Sequence, residues 1–212
     1  MTLKIDTELS AVNSILGAIG QAPITTINAL NPETALIKNL LDQSNLEVLL
    51  EGWHFNIEDH YELVPNASKE IEISEDMLRV DLHDDNVYRN KDIIRRDGKL
   101  YDKVKHTYEF DDTIEADITW FVHFYPVPTG GKTKVDYMPP VFKRYIIKKA
   151  SSNAAIQMVS NNQLVQLLQQ QEALARAACL EYECNQGDYS YLGTPQETTY
   201  RSFKPYNALL VR

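Results

Sequence analysis

The stretch that most constrains this chain runs from Asn31 to Ile57, a helix signal closed by Gly52-Trp53-His54-Phe55-Asn56. Asn31 is a good N-cap, and Pro32 suits the first helical position, where its missing N–H removes no intrahelical bond. Ile37, Leu40, Leu41, Ser44 and Val48 recur at helical spacing and share one side. Gly52 is placed to take the left-handed conformation that ends a helix without a Cβ clash. Trp53 and Phe55 then alternate with His54 and Asn56, which predicts a strand-like exit with both rings on one face. Such a corner locks a helix end onto a core, and Trp53, Phe55 and Asn56 are its candidate anchors.

Three further stretches carry helical period. In residues 7–20, Leu9, Val12, Ile15, Leu16 and Ile19 form a stripe between a Thr7 cap and a Gly20 stop. A short β-like piece, Ile24-Thr25-Thr26-Ile27, follows. Pro139-Pro140 open the third helix, since two prolines fit a first turn and nowhere deeper. Phe142, Tyr145, Ile146, Lys149, Ala150 and Ala154 continue its spacing, and Phe142 and Tyr145 join the candidate anchors. After a break at Asn161-Asn162, a fourth helix spans 163–183. Leu164, Leu168, Gln171, Ala175, Ala178 and Tyr182 make a seam suited to antiparallel packing.

Between the second and third helices the period falls to two. Alternating runs at 61–64, 70–73, 77–82, 86–89, 99–101 and 113–125 are separated by turn residues. Asp97-Gly98, between Ile93-Ile94-Arg95-Arg96 and Lys99-Leu100-Tyr101, is the clearest hairpin signal. The fold class expected is therefore α+β: a four-helix bundle with an inserted antiparallel β region and an extended C-terminal tail. The bundle would comprise 1–57 and 138–186, the insert 58–137, and the tail 187–212. In that tail Tyr200, Phe203, Tyr206, Leu209 and Leu210 are scattered without period, so it is expected to dock on another surface, these residues making contacts with a neighbouring subunit or a partner.

Charge bounds the function. The net charge is −9. A chain so acidic does not wrap nucleic acid, which needs clustered Lys and Arg. Lys143, Arg144, Lys148 and Lys149 concentrate on the third helix, where they suit pairing with Glu70, Glu72, Asp84 and Asp85 of a neighbouring copy. Adjacent acids such as Glu58-Asp59, Asp84-Asp85 and Asp111-Asp112 read as solvated turns, because a glycosidase needs two carboxyls opposed across a cleft. The five histidines are dispersed, and no Ser/His/Asp or Cys/His set or nucleophile elbow can be named. Gly130-Gly131-Lys132-Thr133 lacks the earlier glycine of a phosphate loop, since position 126 is Pro126. Cys179 and Cys184 point about 140° apart on a helix and read as reduced, with no zinc pattern. No cofactor, metal or catalytic residue is expected. Residues 1–10 contain Lys4, Asp6 and Glu8 and do not read as a secretion signal, and no apolar run is long enough for a membrane.

Several blocks resemble a known family. Glu8-Leu9-Ser10-Ala11-Val12-Asn13 with Ile15-Leu16 and Ile19-Gly20, then Gly52-Trp53-His54-Phe55-Asn56-Ile57-Glu58, are similar to the tail tubular protein A family of short-tailed bacteriophages, the podoviruses. Asp136-Tyr137-Met138-Pro139 with Phe142, Arg144-Tyr145, Ile147 and Lys149-Ala150-Ser151 matches a third block, and Glu181-Tyr182-Glu183 a fourth. The resemblance implies a non-enzymatic virion protein, a tail adaptor or gatekeeper assembled in the host cytoplasm. It implies a homo-oligomeric ring, a dodecamer, between the portal protein and the tail nozzle (tail tubular protein B), with tail fibres nearby. DNA would pass through on ejection without specific binding. The alternative is a glycan-binding or glycan-hydrolysing tail protein acting through the acids and tyrosines of the β insert.

Overall fold

A computed structural model of the chain describes residues 7–28, 30–82, 91–125, 138–159 and 161–187. Four helices lie in chain order around a β region: α1 (Glu8–Ala18), α2 (Pro32–Leu50), α3 (Pro140–Met158) and α4 (Asn162–Gly187). The α+β class holds. Three of the four starts carry a side-chain cap, and α3 opens on Pro139-Pro140 without one. Thr7 Oγ1 accepts from Ser10 N at 3.3 Å, Asn31 Oδ1 from Glu33 N at 3.1 Å, and Asn161 Oδ1 from Gln163 N at 3.1 Å. These satisfy backbone donors that a helix leaves unpaired at its first turn. α3 is the axis of the layer: α1 and α2 pack on it, and α4 returns along it after a short connection.

All five residues of the α2 stripe are buried. Gly52 has φ +75° and ends the helix as its position predicts; a Cβ there would meet Ile57 Cδ1 at 3.3 Å. The exit differs from expectation. Residues 54–56 form a turn rather than a strand, closed by Asn56 N donating to Trp53 O at 2.9 Å. The turn, not strand alternation, sends both rings onto Phe142. Nor is 24–27 a strand: Asn13 takes both backbone groups of Ile24, at 2.8 and 2.9 Å, leaving none for a ladder. On α4 the buried line runs through Leu168, Ala175 and Cys179, while Ala178 is exposed. A straight helix drifts from a strict heptad by about 20° per repeat, which moves the seam by one residue.

The β region holds β1 (Ile57–Leu63), β2 (Met77–Leu82), β3 (Ile93–Arg96), β4 (Lys99–Asp102) and β5 (Ile114–Trp120). β1, β5 and β2 make an antiparallel sheet in that order; β3 and β4 are the Asp97-Gly98 hairpin. Both turn residues have positive φ, 53° and 73°, matching the right-handed strand twist. A bulge between Glu58 and Tyr61 interrupts the pairing of β1 with β5, with His60 at φ 57°. Residues 70–73 form only isolated bridges, Glu70 to Glu109 and Glu72 to Lys99. The run expected at 86–89 lies outside the described residues, as do the 129–131 turn and the chain from 188 onward.

Two apolar cores result. One lies among the helices and takes Val122 and Phe124, which follow β5 out of the sheet. The smaller one is built from Leu63, Ile71, Leu100, Phe110, Ile114, Ile118 and Trp120 among others. Asn56 stands between them, and Asn45 ties the chain beyond β5 to α2. Asn56 Nδ2 donates to Trp120 O at 3.1 Å, and Asn45 Nδ2 to Val122 O at 3.2 Å.

Candidate functional site

The turn after α2 is densely hydrogen-bonded. Asn56 is buried, its Oδ1 accepting from Trp53 N at 2.8 Å while Nδ2 donates to Leu49 O at 3.0 Å as well as to Trp120 O. Its own carbonyl accepts from Trp120 N at 2.7 Å. One side chain thus joins a helix end, a turn and a strand end. Trp53 Nε1 donates to Val48 O at 2.7 Å. The rings of Trp53, Phe55 and Tyr182 surround Phe142, with centroids 4.9, 4.6 and 5.8 Å away in tilted or edge contacts. Such offset geometry lets each ring's positive edge meet a negative face.

Glu51 ties three helices at the same corner. It accepts from Tyr145 OH at 3.0 Å and from Arg176 Nη2 at 3.2 Å, and Lys149 Nζ lies 3.9 Å away. Burial, then the Glu51 charge, pushes the Tyr145 hydroxyl above the ordinary tyrosine range. Burial likewise pushes the Cys179 thiol up to about 12, with Glu51 and Glu183 adding to it. The thiol is neutral at physiological pH, and a neutral thiol is a poor nucleophile. Cys184 is exposed, and both cysteines are free.

The basic residues of α3 divide. Lys149 is largely enclosed, its side chain 17% exposed, and pairs with Glu47 at 3.0 Å within the chain. Lys148 donates to Gln171 Oε1 at 2.8 Å, and Lys143 sits 5.7 Å from the Phe124 ring centroid. Arg144 lines two grooves beside α3. Among the acids named with them, Glu70 pairs with Lys99 at 2.6 Å and Glu72 is exposed. Asp84, Asp85, Tyr200, Phe203, Tyr206, Leu209 and Leu210 lie outside the described residues.

α4 has a concave surface on each flank. On one side a groove of about 600 Å³ runs between α3 and α4, floored by Val141, Leu174, Ala175 and Ala178 and rimmed by Arg144 and Lys148. On the other a cleft of about 520 Å³ opens at the corner, between Trp53, Ile57 and Leu180, with Glu51, Asp59 and Glu183 around it. His54 N donates to Glu183 Oε1 there. Sequence reasoning missed Glu51, Arg176 and Leu174 as site residues, and named Glu183 only within the Glu181-Tyr182-Glu183 block. Leu167 and Leu174, seven apart and exposed, were a visible heptad signal for a second apolar face. Among the described residues no group of three or more His, Cys, Asp or Glu side chains converges as metal ligands would. No described helix is long and apolar enough to cross a membrane.

Residues 9–189 match the tail tubular protein family, and the chain belongs to it. Membership makes it a structural component of a phage tail. It is similar to tail tubular protein A of Klebsiella phage KP34, 30% identical over 122 residues. That match covers 57% of this chain and 62% of the relative, so it spans less than two thirds of the relative's length.

Proposed function

We propose that this protein is the adaptor subunit of a short tail, forming a closed ring that joins the portal to the nozzle and surrounds the DNA conduit. The ring is dodecameric in this reading, with tail fibres attached near the junction. Its assembly takes place in the host cytoplasm.

One observation supports it most: the α3–α4 groove. Leu174 is 72% exposed there, beside cations on the rim. An apolar floor with a charged rim is the anatomy of a protein interface. A ring needs a heterologous contact, in which two different patches of the same chain meet and the rotation closes. The α3 cations meeting acids of a neighbour's β region, Glu72 among them, would select one register. The net charge of −9 suits a conduit, because a basic lining would hold DNA through its phosphates.

Arg144→Glu combined with Lys148→Glu tests this. The double variant should remain folded but fail to form rings, alone or with portal, by electron microscopy and sedimentation. Rings of unchanged size would refute the groove as the subunit contact. A purified chain mixed with portal that yields no ring-shaped complex would refute the adaptor reading itself.

A further inference from the structure

We propose that the acidic cleft at the corner is the receptor for the chain's own C-terminal segment, residues 199–212, docked within the same molecule. Three observations meet here. The cleft combines an apolar floor, Trp53, Ile57 and Leu180, with an excess of acid: Glu51, Asp59 and Glu183 against Arg176. Glu183 Oε1 is used by His54 N, but its Oε2 is shielded from solvent and has no hydrogen-bond partner among the described residues. A buried carboxylate oxygen without a donor is costly, and a rotation of the Glu183 carboxylate toward the cleft would let a cationic side chain satisfy it.

The segment has the complementary chemistry. Residues 199–212 carry Arg201, Lys204 and Arg212 and no acidic side chain, interleaved with Tyr200, Phe203, Tyr206, Leu209 and Leu210. Cations spaced between aromatic and aliphatic side chains match an apolar floor rimmed by carboxylates. The basic groove on the opposite flank of α4 has the wrong sign for them.

The connection favours the same molecule. α4 ends at Gly187, one turn beyond Glu183, so the chain leaves the helix beside the cleft. Residues 188–198 follow before the basic stretch. At roughly 3.3 Å per extended residue they are ample to reverse direction and return. A connection of only eleven residues gives an effective concentration on the order of millimolar, above what a second copy supplies at ordinary protein concentration. The cleft would then hold the segment in the free subunit, and the inference does not depend on the ring.

Hydrogen–deuterium exchange on the full chain tests it. Residues 199–212 should exchange about tenfold more slowly than an unstructured chain, as docked segments do. Arg201→Glu with Lys204→Glu should abolish that protection. Adding Asp59→Lys should restore part of it by reversing the charge across the contact. Protection unchanged in the double variant overturns the proposal, and so does absent protection in the parent chain. Protection that grows with protein concentration overturns docking within one molecule. Failure of Asp59→Lys to restore any protection overturns the assignment to this cleft. Ring formation with portal, read on the same variants, scores the adaptor reading separately.

Discussion

In the helical layer, distant segments are joined by buried side chains; in the β region they are joined by backbone pairing, with ion pairs on the outside. Asn56, Asn45 and Trp53 each bond to main-chain groups of another element or turn, in places closed to water. The β region instead displays Lys69–Asp111 and Arg79–Asp81 at 2.7 Å, both pairs more than half exposed. A buried polar group left alone forfeits its full desolvation energy, whereas an exposed ion pair trades one hydrated state for another. The layers should therefore respond unequally to single substitutions.

Trp53→Ala should have the largest effect. It removes a buried ring, its contact with Phe142 and its bond to Val48 O, and large aromatic truncations in cores cost about 3–5 kcal/mol. An unchanged denaturant midpoint would show that the ring contributes little to the fold. Asn56→Ala comes next, at about 3 kcal/mol, because it strands Trp53 N–H and the Leu49 and Trp120 carbonyls out of water. It should also loosen the sheet's attachment, so amide exchange at the end of β5 should rise more than exchange in the β3–β4 hairpin. Equal increases in both would break the idea of a single polar joint.

A smaller effect is set by pH. Unfolded cysteine and tyrosine titrate near 9.0 and 10.0, and both Cys179 and Tyr145 are raised above these in the folded chain. The folded state then keeps protons that the unfolded state gives up. Stability should fall as pH rises past about 9 and continue to fall through the folded pKa values. Tyr145→Phe should lose about 1 kcal/mol at neutral pH with its bond to Glu51. It should also flatten the alkaline decline, and an identical decline in the variant would remove Tyr145 as a source. Smallest of all, Lys69→Ala in the β region should leave the midpoint where it was; a clear shift would erase the contrast between the layers.

Much of the helical layer was legible because its signals are local. Asn31, Pro32 and Gly52 set the limits of α2 by their own backbone preferences, and the hairpin followed from Asp97-Gly98. The predicted strand at 53–56 failed because alternation of Trp53, His54, Phe55 and Asn56 is compatible with a turn once the Asn56 side chain caps it. The piece at 24–27 failed for a related reason, with Asn13 occupying the backbone groups a strand would use. The site was less legible than the fold. Lys149 is clustered with other cations in sequence, yet it points inward to Glu47 and Glu51. Arg176 carried no signal, and Glu183 appeared only within the Glu181-Tyr182-Glu183 block, since a helical acid or base reads alike whether or not a cleft lies beside it.

By itself the sequence determined where helices begin and end, which faces are apolar, and the order of helical and β segments. Capping, proline and glycine geometry, and side-chain period act over a few residues, so they are written in order along the chain. Only the tertiary structure decided that Phe142 is the meeting point of rings from α4 and the corner, and that Asn56 joins Leu49 to Trp120. It also decided that α4 separates a basic groove from an acidic cleft. Those relations depend on which surfaces come within hydrogen-bonding or van der Waals reach after packing, and separation along the chain carries no record of that.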